Sequence, residues 1–238
     1  MEKIIYPVWK LSHQSNDDFN AALLGPMSEA LLASGVKKLR INLTDDAVSP
    51  AAKLCHKNLD PMMDAVVSIW VDSYIYRDKQ QAILSDFVDH YHGYLVTESE
   101  PLVNVQHPAV AGQRTLGMSQ LAFLQKPERL TRQDWLDVWH NSHTQVAIDT
   151  QSTFGYRQNV VVMTLTEGAP SFDALVEENF PDEAMTSPHA FYAAVDENGK
   201  PDDAKLALHG KIMAESCARF IDLENINVLP TSEYTIKL

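Results

Sequence analysis

Two segments of the chain match each other without a gap, and this internal similarity constrains the fold more than any other feature. Residues 87–100 align with residues 220–233, with identical Phe, Asp, Ser and Glu and a shared apolar pattern. Three further matches follow in the same order: residues 18–19 with 134–135, residues 39–42 with 156–159, and residues 63–67 with 172–176. Four matches in one order predict two copies of a unit of about 100 to 120 residues.

Each copy predicts the same order of elements, namely strand, helix, strand, strand, helix, strand. This is the order of the split βαβ or ferredoxin-like unit, whose antiparallel sheet carries both helices on one face. In the first copy we predict strands at 3–11, 36–43, 64–71 and 93–103, and helices that begin at 15 and 77. In the second copy we predict strands at 118–125, 154–164, 172–179 and 226–237, and helices at 131–148 and 202–220.

The uncovered face of each predicted sheet indicates how the two copies pack. Because an apolar sheet face must be buried, a second copy in the same chain is the cover that we expect. The predicted fold class is therefore α+β, with two tandem ferredoxin-like units packed as an intrachain α+β barrel. We predict a degenerate first half at 1–105, a linker at 106–116 and a second half at 117–238.

Composition narrows the class of partner and the compartment. The net charge of -13 disfavours nucleic acid and anionic membrane surfaces, which are bound by clustered Lys and Arg. Cys55 and Cys217 have no metal-type spacing and are predicted to be free thiols in a reducing cytoplasm. The first residues lack the pattern of a signal peptide, and no apolar run reaches membrane-spanning length.

A stripe on the first helix of the second copy is the main candidate for chemistry. Trp135, Trp139 and His143 recur every four residues and so share one helix face, with His140 close by. A histidine beside an aromatic-lined pocket can act as a general base near neutral pH. The competing interpretation is that the two tryptophans and the histidine are core residues.

The strand that follows divides its side chains between two faces. Tyr156 and Gln158 are predicted to point one way, and Arg157 and Asn159 the other. If the helix packs on this strand, His143 lies near a pocket that is mostly apolar with a few polar atoms, as small-molecule sites are.

The first copy lacks this stripe. The aligned positions place Leu23 opposite Trp139 and Met27 opposite His143. Leu and Met can fill a packing role, whereas they cannot exchange a proton. A single active pocket would therefore belong to the second half.

Other sequence patterns give weaker indications of function. His90 and His92 could project to one side and bind a metal, but no third ligand follows at a recognisable spacing, so no metal is predicted. The adjacent Glu177 and Glu178 are interpreted as a solvated face. The chain has no glycine-rich phosphate loop and no nucleophile elbow, which argues against nucleotide enzymes and serine hydrolases.

The second half resembles a known family. Residues 121–127, residues 130–135, the pair Trp139 and His143, and residues 156–159 resemble an EthD-type domain. The resemblance covers residues 117–238, and the first half carries it only faintly. It implies the dimeric α+β barrel superfamily, here with both barrel halves supplied by one chain, and it leaves open a further homodimer.

What the resemblance implies about activity is broad. Relatives include proteins linked to ether degradation, cofactor-free monooxygenases, polyketide cyclases or decarboxylases, muconolactone isomerases and haem-handling enzymes. Such a superfamily determines shape far better than reaction.

The leading hypothesis is a cofactor-independent enzyme that acts on a small hydrophobic or aromatic metabolite. His143 would abstract a proton next to a carbonyl or phenol. The pocket wall would come from Trp135, Trp139 and Tyr156, and Asn159 or His140 would orient polar atoms.

Two alternatives stay open at this point. One is a non-catalytic binding protein of the same shape, which would retain a ligand without turning it over. The other is a haem-binding protein with His143 or His140 as the axial ligand.

Overall fold

Eight antiparallel strands close into a barrel, and the helices pack on its outer surface. The computed structural model describes residues 1–238. The barrel strands are β1 Glu2–Trp9, β2 Lys38–Leu43, β3 Ala65–Val71, β5 Tyr94–Leu102, β6 Met118–Leu124, β7 Gly155–Thr164, β8 Ala174–Phe180 and β9 Asn227–Lys237. A ninth strand of two residues, β4 His90–Tyr91, pairs with the end of β1.

The strand order shows two ferredoxin-like sheets joined at both edges. The first half has the order β5-β1-β3-β2 and the second half the order β9-β6-β8-β7. The edge strand β2 pairs with β9, and the edge strand β5 pairs with β7, which closes the barrel. The predicted fold class, two tandem ferredoxin-like units forming an intrachain α+β barrel, is confirmed.

Burial on both faces explains why the strands read as long apolar runs. In β1, Ile4 and Tyr6 pack in the core under the first-half helices, whereas Ile5 and Trp9 pack inside the barrel. Strands that are covered on both faces need apolar side chains at nearly every position.

The helices agree with the predicted positions, except that each first helix is interrupted. The first half contains α1 Asn16–Ala22, α2 Ser28–Ala33 and α3 Asp78–Phe87, and the second half contains α4 Arg132–Val138, α5 Thr144–Thr150, α6 Pro188–Phe191 and α7 Asp203–Phe220. Short 3₁₀ segments cover Asp46–Leu54, Tyr74–Tyr76 and Asp182–Met185. The side chains of Ser15 and Thr131 cap α1 and α4 in the same way. None of the helices is long and apolar enough to cross a bilayer.

A π-helical turn interrupts the first helix of each half at the same position. The turns cover Leu23–Met27 and Trp139–His143. In each case the next hydroxyl side chain donates to the carbonyl at the start of the turn, Ser28 to Leu23 at 2.7 Å and Thr144 to Trp139 at 2.8 Å. Pro26 lies inside the first of these turns. The structure therefore pairs Met27 with His143, as the sequence alignment predicts.

The barrel interior is filled by an apolar layer and an ionic layer. The apolar layer leaves a void of only about 10 Å3. The ionic layer contains Lys3, Arg40, Arg157, Glu98, Glu100, Glu177 and Glu233.

Contacts within the ionic layer are short. Glu177 accepts from Lys3 Nζ at 2.6 Å and from Arg40 Nη1 at 2.9 Å, and Glu233 accepts from Arg157 Nη1 at 2.6 Å. Burial opposes ionisation of Glu177, but these cations hold its pKa well below the usual range.

The predicted linker lies between β5 and β6. Residues 103–117 form neither helix nor strand apart from a single bridge between Arg114 and Tyr234. The division into residues 1–105, 106–116 and 117–238 stays a prediction.

Candidate functional site

A cavity of about 210 Å3 lies between the sheet of the second half and its helices. Its wall is mostly apolar, with a small polar set at the sheet and helix surfaces. The lining includes the side chains of His143, Tyr156, Glu178, Cys217, Phe220 and Tyr192. Apolar walls with a few polar atoms are typical of small-molecule sites.

Three neighbouring strands place polar side chains on this wall. Glu178 of β8 is flanked by Gln120 of β6 and Tyr156 of β7 in the strand register. Successive residues of a strand point to opposite faces, so the neighbouring Glu177 points into the barrel. The register therefore sends one glutamate to the ionic layer and the next one to the cavity.

Glu178 is a buried carboxyl group with no partner. Its side chain makes no hydrogen bond or ion pair, and its Oε1 is fully buried, while the residue is 8% exposed. Burial raises the pKa of Glu178 to about 8, because the charged form loses its hydration. The group is therefore mostly protonated at neutral pH.

His143 enters the cavity from the π-helical turn. Its Nδ1 lies 3.0 Å from Ser216 Oγ, which accepts a hydrogen bond from Arg219 Nη2 at 2.9 Å. A serine hydroxyl can donate one hydrogen bond and accept two, so Ser216 can donate to Nδ1 while it accepts from Arg219. In that tautomer the imidazole hydrogen is on Nε2, the nitrogen without a protein partner.

The electrostatics of His143 favour the neutral ring. Burial and, to a smaller extent, the charge of Arg219 lower the pKa of His143 to about 4. The Phe220 ring packs against the imidazole with centroids 4.5 Å apart. At neutral pH His143 is thus an uncharged hydrogen-bonding group and a weak base.

Tyr156 is held from behind the cavity wall. Its hydroxyl accepts from Trp139 Nε1 at 3.0 Å. Burial, and the neighbouring Glu178 to a lesser degree, raise the pKa of Tyr156, so the phenol stays protonated.

The structure brings together only part of the predicted site. His143 and Tyr156 line the cavity, and Trp139 supports Tyr156 without lining it. Trp135 is fully buried and donates to the Phe220 carbonyl at 3.0 Å, which makes it a packing residue next to the site.

Two other predicted residues lie elsewhere. His140 is exposed and packs against the Trp139 ring, with centroids 4.9 Å apart. Asn159 is inside the barrel, where its Oδ1 accepts from Lys3 Nζ at 2.7 Å and its amide donates to Glu177. Since the sheet separates Asn159 from the cavity, it does not orient a ligand there.

The interpretation of Glu177 and Glu178 as a solvated face is wrong. Both are buried, because β8 is covered by the barrel interior on one side and by helices on the other. Two adjacent acids inside a strand already predicted to be covered on both faces were the available signal. Taken without the rest of the strand, two adjacent acidic residues indicate a solvent-exposed face.

The structure does not support a metal at His90 and His92. Their rings lie 5.9 Å apart, and Trp9 stacks on His90 with centroids 4.4 Å apart. No group of three His, Cys, Asp or Glu side chains is arranged to hold a metal ion.

Haem does not fit the cavity either. A volume of about 210 Å3 lies below the roughly 300–1,000 Å3 of pockets for drug-sized molecules, and haem is at least as large as a typical molecule of that class. Phe220 also packs against the His143 ring, and His140 does not line the cavity.

The equivalent layer of the first half is a sealed apolar core. The residue aligned with Glu178 is Ile69, which is flanked in register by Ile4 and Leu39. All three are fully buried, as is Met27 at the position of His143. The positions equivalent to Glu178 and His143 are thus apolar in the first layer.

Comparisons with known proteins support the fold and leave the function open. No family model matches the chain, and no curated protein matches it. The structure of an anthrone oxidase-like protein is similar with a TM-score of 0.53 at 7% sequence identity, covering 99% of this chain and 92% of the other. At this identity the likeness shows the fold alone, an antiparallel barrel with helices on its outer surface.

Two further structures are similar over most of their length. A candidate monooxygenase from Lactobacillus acidophilus NCFM has a TM-score of 0.44 at 9% identity, covering 99% of this chain and 96% of the other. A variant of chlorite dismutase from Candidatus Nitrospira defluvii has a TM-score of 0.46 at 10% identity, covering 99% and 92%. With such low scores, neither contributes to the functional argument.

Proposed function

We propose that the protein is an enzyme that moves a proton to or from a small, mostly apolar molecule bound in the cavity of the second half. The observation that carries the proposal is Glu178, a buried carboxyl group without a partner in the cavity wall. We further propose that the substrate is hydrophobic or aromatic, with an acidic hydrogen next to a carbonyl or on a phenol.

The unpaired carboxyl supports a functional role because it is costly. Burying a polar group without a hydrogen-bond partner destabilises the folded state, and the equivalent Ile69 avoids that cost. Perturbed ionisable groups of this kind concentrate at functional sites.

The chemistry follows from the protonation states. A general base is most effective when its pKa lies near the working pH, and the pKa of about 8 of Glu178 meets this condition. Ionised Glu178 would accept the substrate proton, while Nε2–H of His143 would donate to the oxygen on which negative charge develops. His143 is the alternative base, with a lowered pKa of about 4 as the point against it.

The test is proton exchange with simple probes. We expect the protein to accelerate exchange of the α-hydrogens of acetophenone or 2-indanone in D2O, followed by proton NMR. The rate should rise with pH and level off above about pH 8, as Glu178 ionises.

Variants separate the two candidate bases. Glu178→Gln should abolish the exchange, whereas His143→Gln should lower its rate and keep its pH profile. Glu197→Gln, which removes an exposed glutamate, is the matched control. Full exchange by Glu178→Gln would refute the role of Glu178, and loss of exchange together with the pH profile in His143→Gln alone would transfer the base to His143.

A binding protein without turnover is the second candidate. The mostly apolar wall favours it, because such a wall retains a ligand by burial alone. It predicts that 2-indanone binds with equal affinity to the wild type and to Glu178→Gln, with no exchange by either.

A further inference from the structure

A second hollow adjoins the cavity and is formed by both halves of the chain. This groove has a volume of about 300 Å3. One side comes from the first half, with Pro50, Lys53 and Leu54, and the other from residues 184–188 of the second half.

Two aromatic side chains form the wall between the groove and the cavity. Phe191 and Tyr192 line both spaces. They belong to the segment between β8 and α7, which has no counterpart of similar length in the first half. The wall is therefore a feature of the second half alone.

The two wall residues are held by different contacts, and Tyr192 packs against apolar side chains on both sides of the wall. Phe191 stacks on Phe180 with ring centroids 4.6 Å apart, and the Tyr192 carbonyl accepts from His209 Nδ1 at 2.7 Å. The Tyr192 hydroxyl makes no hydrogen bond within the protein, and its ring contacts Phe191 only edge to face. The backbone is thus held by a hydrogen bond, whereas a change of the Tyr192 rotamer breaks none.

The groove has a single charged residue. Lys53 is exposed and makes no ion pair, and no acidic side chain lines the groove. The protein has a net charge of -13, but the unpaired positive charge of Lys53 beside the groove attracts an anionic group locally.

We propose that the cavity and the groove bind one elongated ligand, whose reacting ring lies at Glu178 and whose apolar arm crosses the Tyr192 wall to place an anionic end near Lys53. This inference rests on the proposed function and adds the substrate class: an aromatic or cyclic ketone or phenol with an acidic side arm. The two spaces together reach the range of about 300–1,000 Å3 that is typical of ligand pockets.

A series of probes of increasing length tests the inference. The probes are 4-hydroxyphenyl carboxylates, from 4-hydroxyphenylacetate to the hexanoate and octanoate, with affinity measured by calorimetry. Each added methylene that enters the groove should improve affinity about fourfold. We expect the gain to stop once the carboxylate reaches Lys53.

Variants locate the arm. Lys53→Gln should weaken the octanoate about twofold to fivefold and leave 4-hydroxyphenylacetate unchanged. Lys57→Gln is the matched control, because Lys57 is an exposed lysine outside the groove. Tyr192→Trp should narrow the passage between the cavity and the groove. Affinity should then no longer increase with the length of the probe.

The outcomes distinguish this inference from the proposed function. If affinity does not depend on length, or if Lys53→Gln affects short and long probes alike, the elongated ligand is refuted. Proton exchange that depends on Glu178 would then still stand on its own. If none of the probes binds, the inference falls together with the proposed phenol site.

Discussion

The helix–sheet layers of the two halves occupy equivalent places in the barrel and have opposite characters. At three neighbouring strand positions the first half has Ile4, Ile69 and Leu39, and the second half has Gln120, Glu178 and Tyr156. The same π-helical turn presents Met27 to one layer and His143 to the other. The first layer is closed, whereas the second encloses a cavity.

The difference between the two helix–sheet layers shows how stability and function can be divided between equivalent parts of one fold. One apolar layer and a filled barrel interior supply most of the burial that stabilises the chain. The other layer can then hold polar groups that cost stability, as functional sites commonly do.

The largest effect should come from giving the first layer the character of the second. Ile69→Glu places a carboxyl group in a packed core without a cavity, and we expect a loss of about 5 kcal/mol in the free energy of unfolding at pH 8. Ile69→Val should cost only about 1 kcal/mol. Urea denaturation measures both, and a loss below about 2 kcal/mol for Ile69→Glu would contradict the sealed core.

The barrel interior allows a second comparison, between two arginines at aligned positions. Arg157 is 5% exposed and hydrogen-bonds Glu100, Glu177 and Glu233. Arg40 is more exposed, hydrogen-bonds Glu177 and makes only a longer ion pair with Glu233, at 3.7 Å. Arg157→Met should therefore cost about 4 kcal/mol and Arg40→Met about 2 kcal/mol, because each leaves buried carboxylates without a partner. Equal losses in thermal and urea unfolding would show that the two arginines are equivalent.

Removal of the ionisable carboxyl group from the second layer should stabilise the protein. From pH 4.5 to about pH 8 the unfolded chain releases the Glu178 proton that the folded chain keeps, so the wild type loses stability as pH rises. Glu178→Gln removes this loss and should gain about 3 kcal/mol at pH 7, with little gain at pH 4.5. Denaturation across this pH range is the measurement, and a gain independent of pH would argue against a raised pKa.

The smallest effect concerns the two π-helical turns. Ser28→Ala removes one hydrogen bond to Leu23 and should cost about 1 kcal/mol. Thr144→Ala should cost about 2 kcal/mol, because Thr144 also accepts from Gln158 Nε2 at 2.7 Å. Thermal unfolding of the two variants tests the order, and a larger loss for Ser28→Ala would reverse it.

The sequence predicted the parts of this molecule that depend on local pattern. Strand and helix periodicity placed the elements within a few residues, including the helices predicted to begin at 15 and 131. Alternation also assigned Tyr156 and Asn159 to opposite faces of β7, as the structure has them.

What the sequence could not provide depends on contacts between distant segments. The cavity exists because Met213, Phe220 and Ile226 leave space against the sheet, and no local pattern encodes that space. The role of Glu178 depends on β8 being covered on both sides. Asn159 was assigned to the pocket although its predicted direction already pointed into the barrel.

The closure of the barrel by β9 affects how the chain folds during synthesis. This strand pairs with β6 on one side and with β2 on the other, and it follows every other strand in the chain. During synthesis β2 therefore remains an open edge until β9 has left the ribosome, and open edges recruit foreign strands. The order of emergence, more than the strength of either core, sets how long the nascent chain stays vulnerable to aggregation.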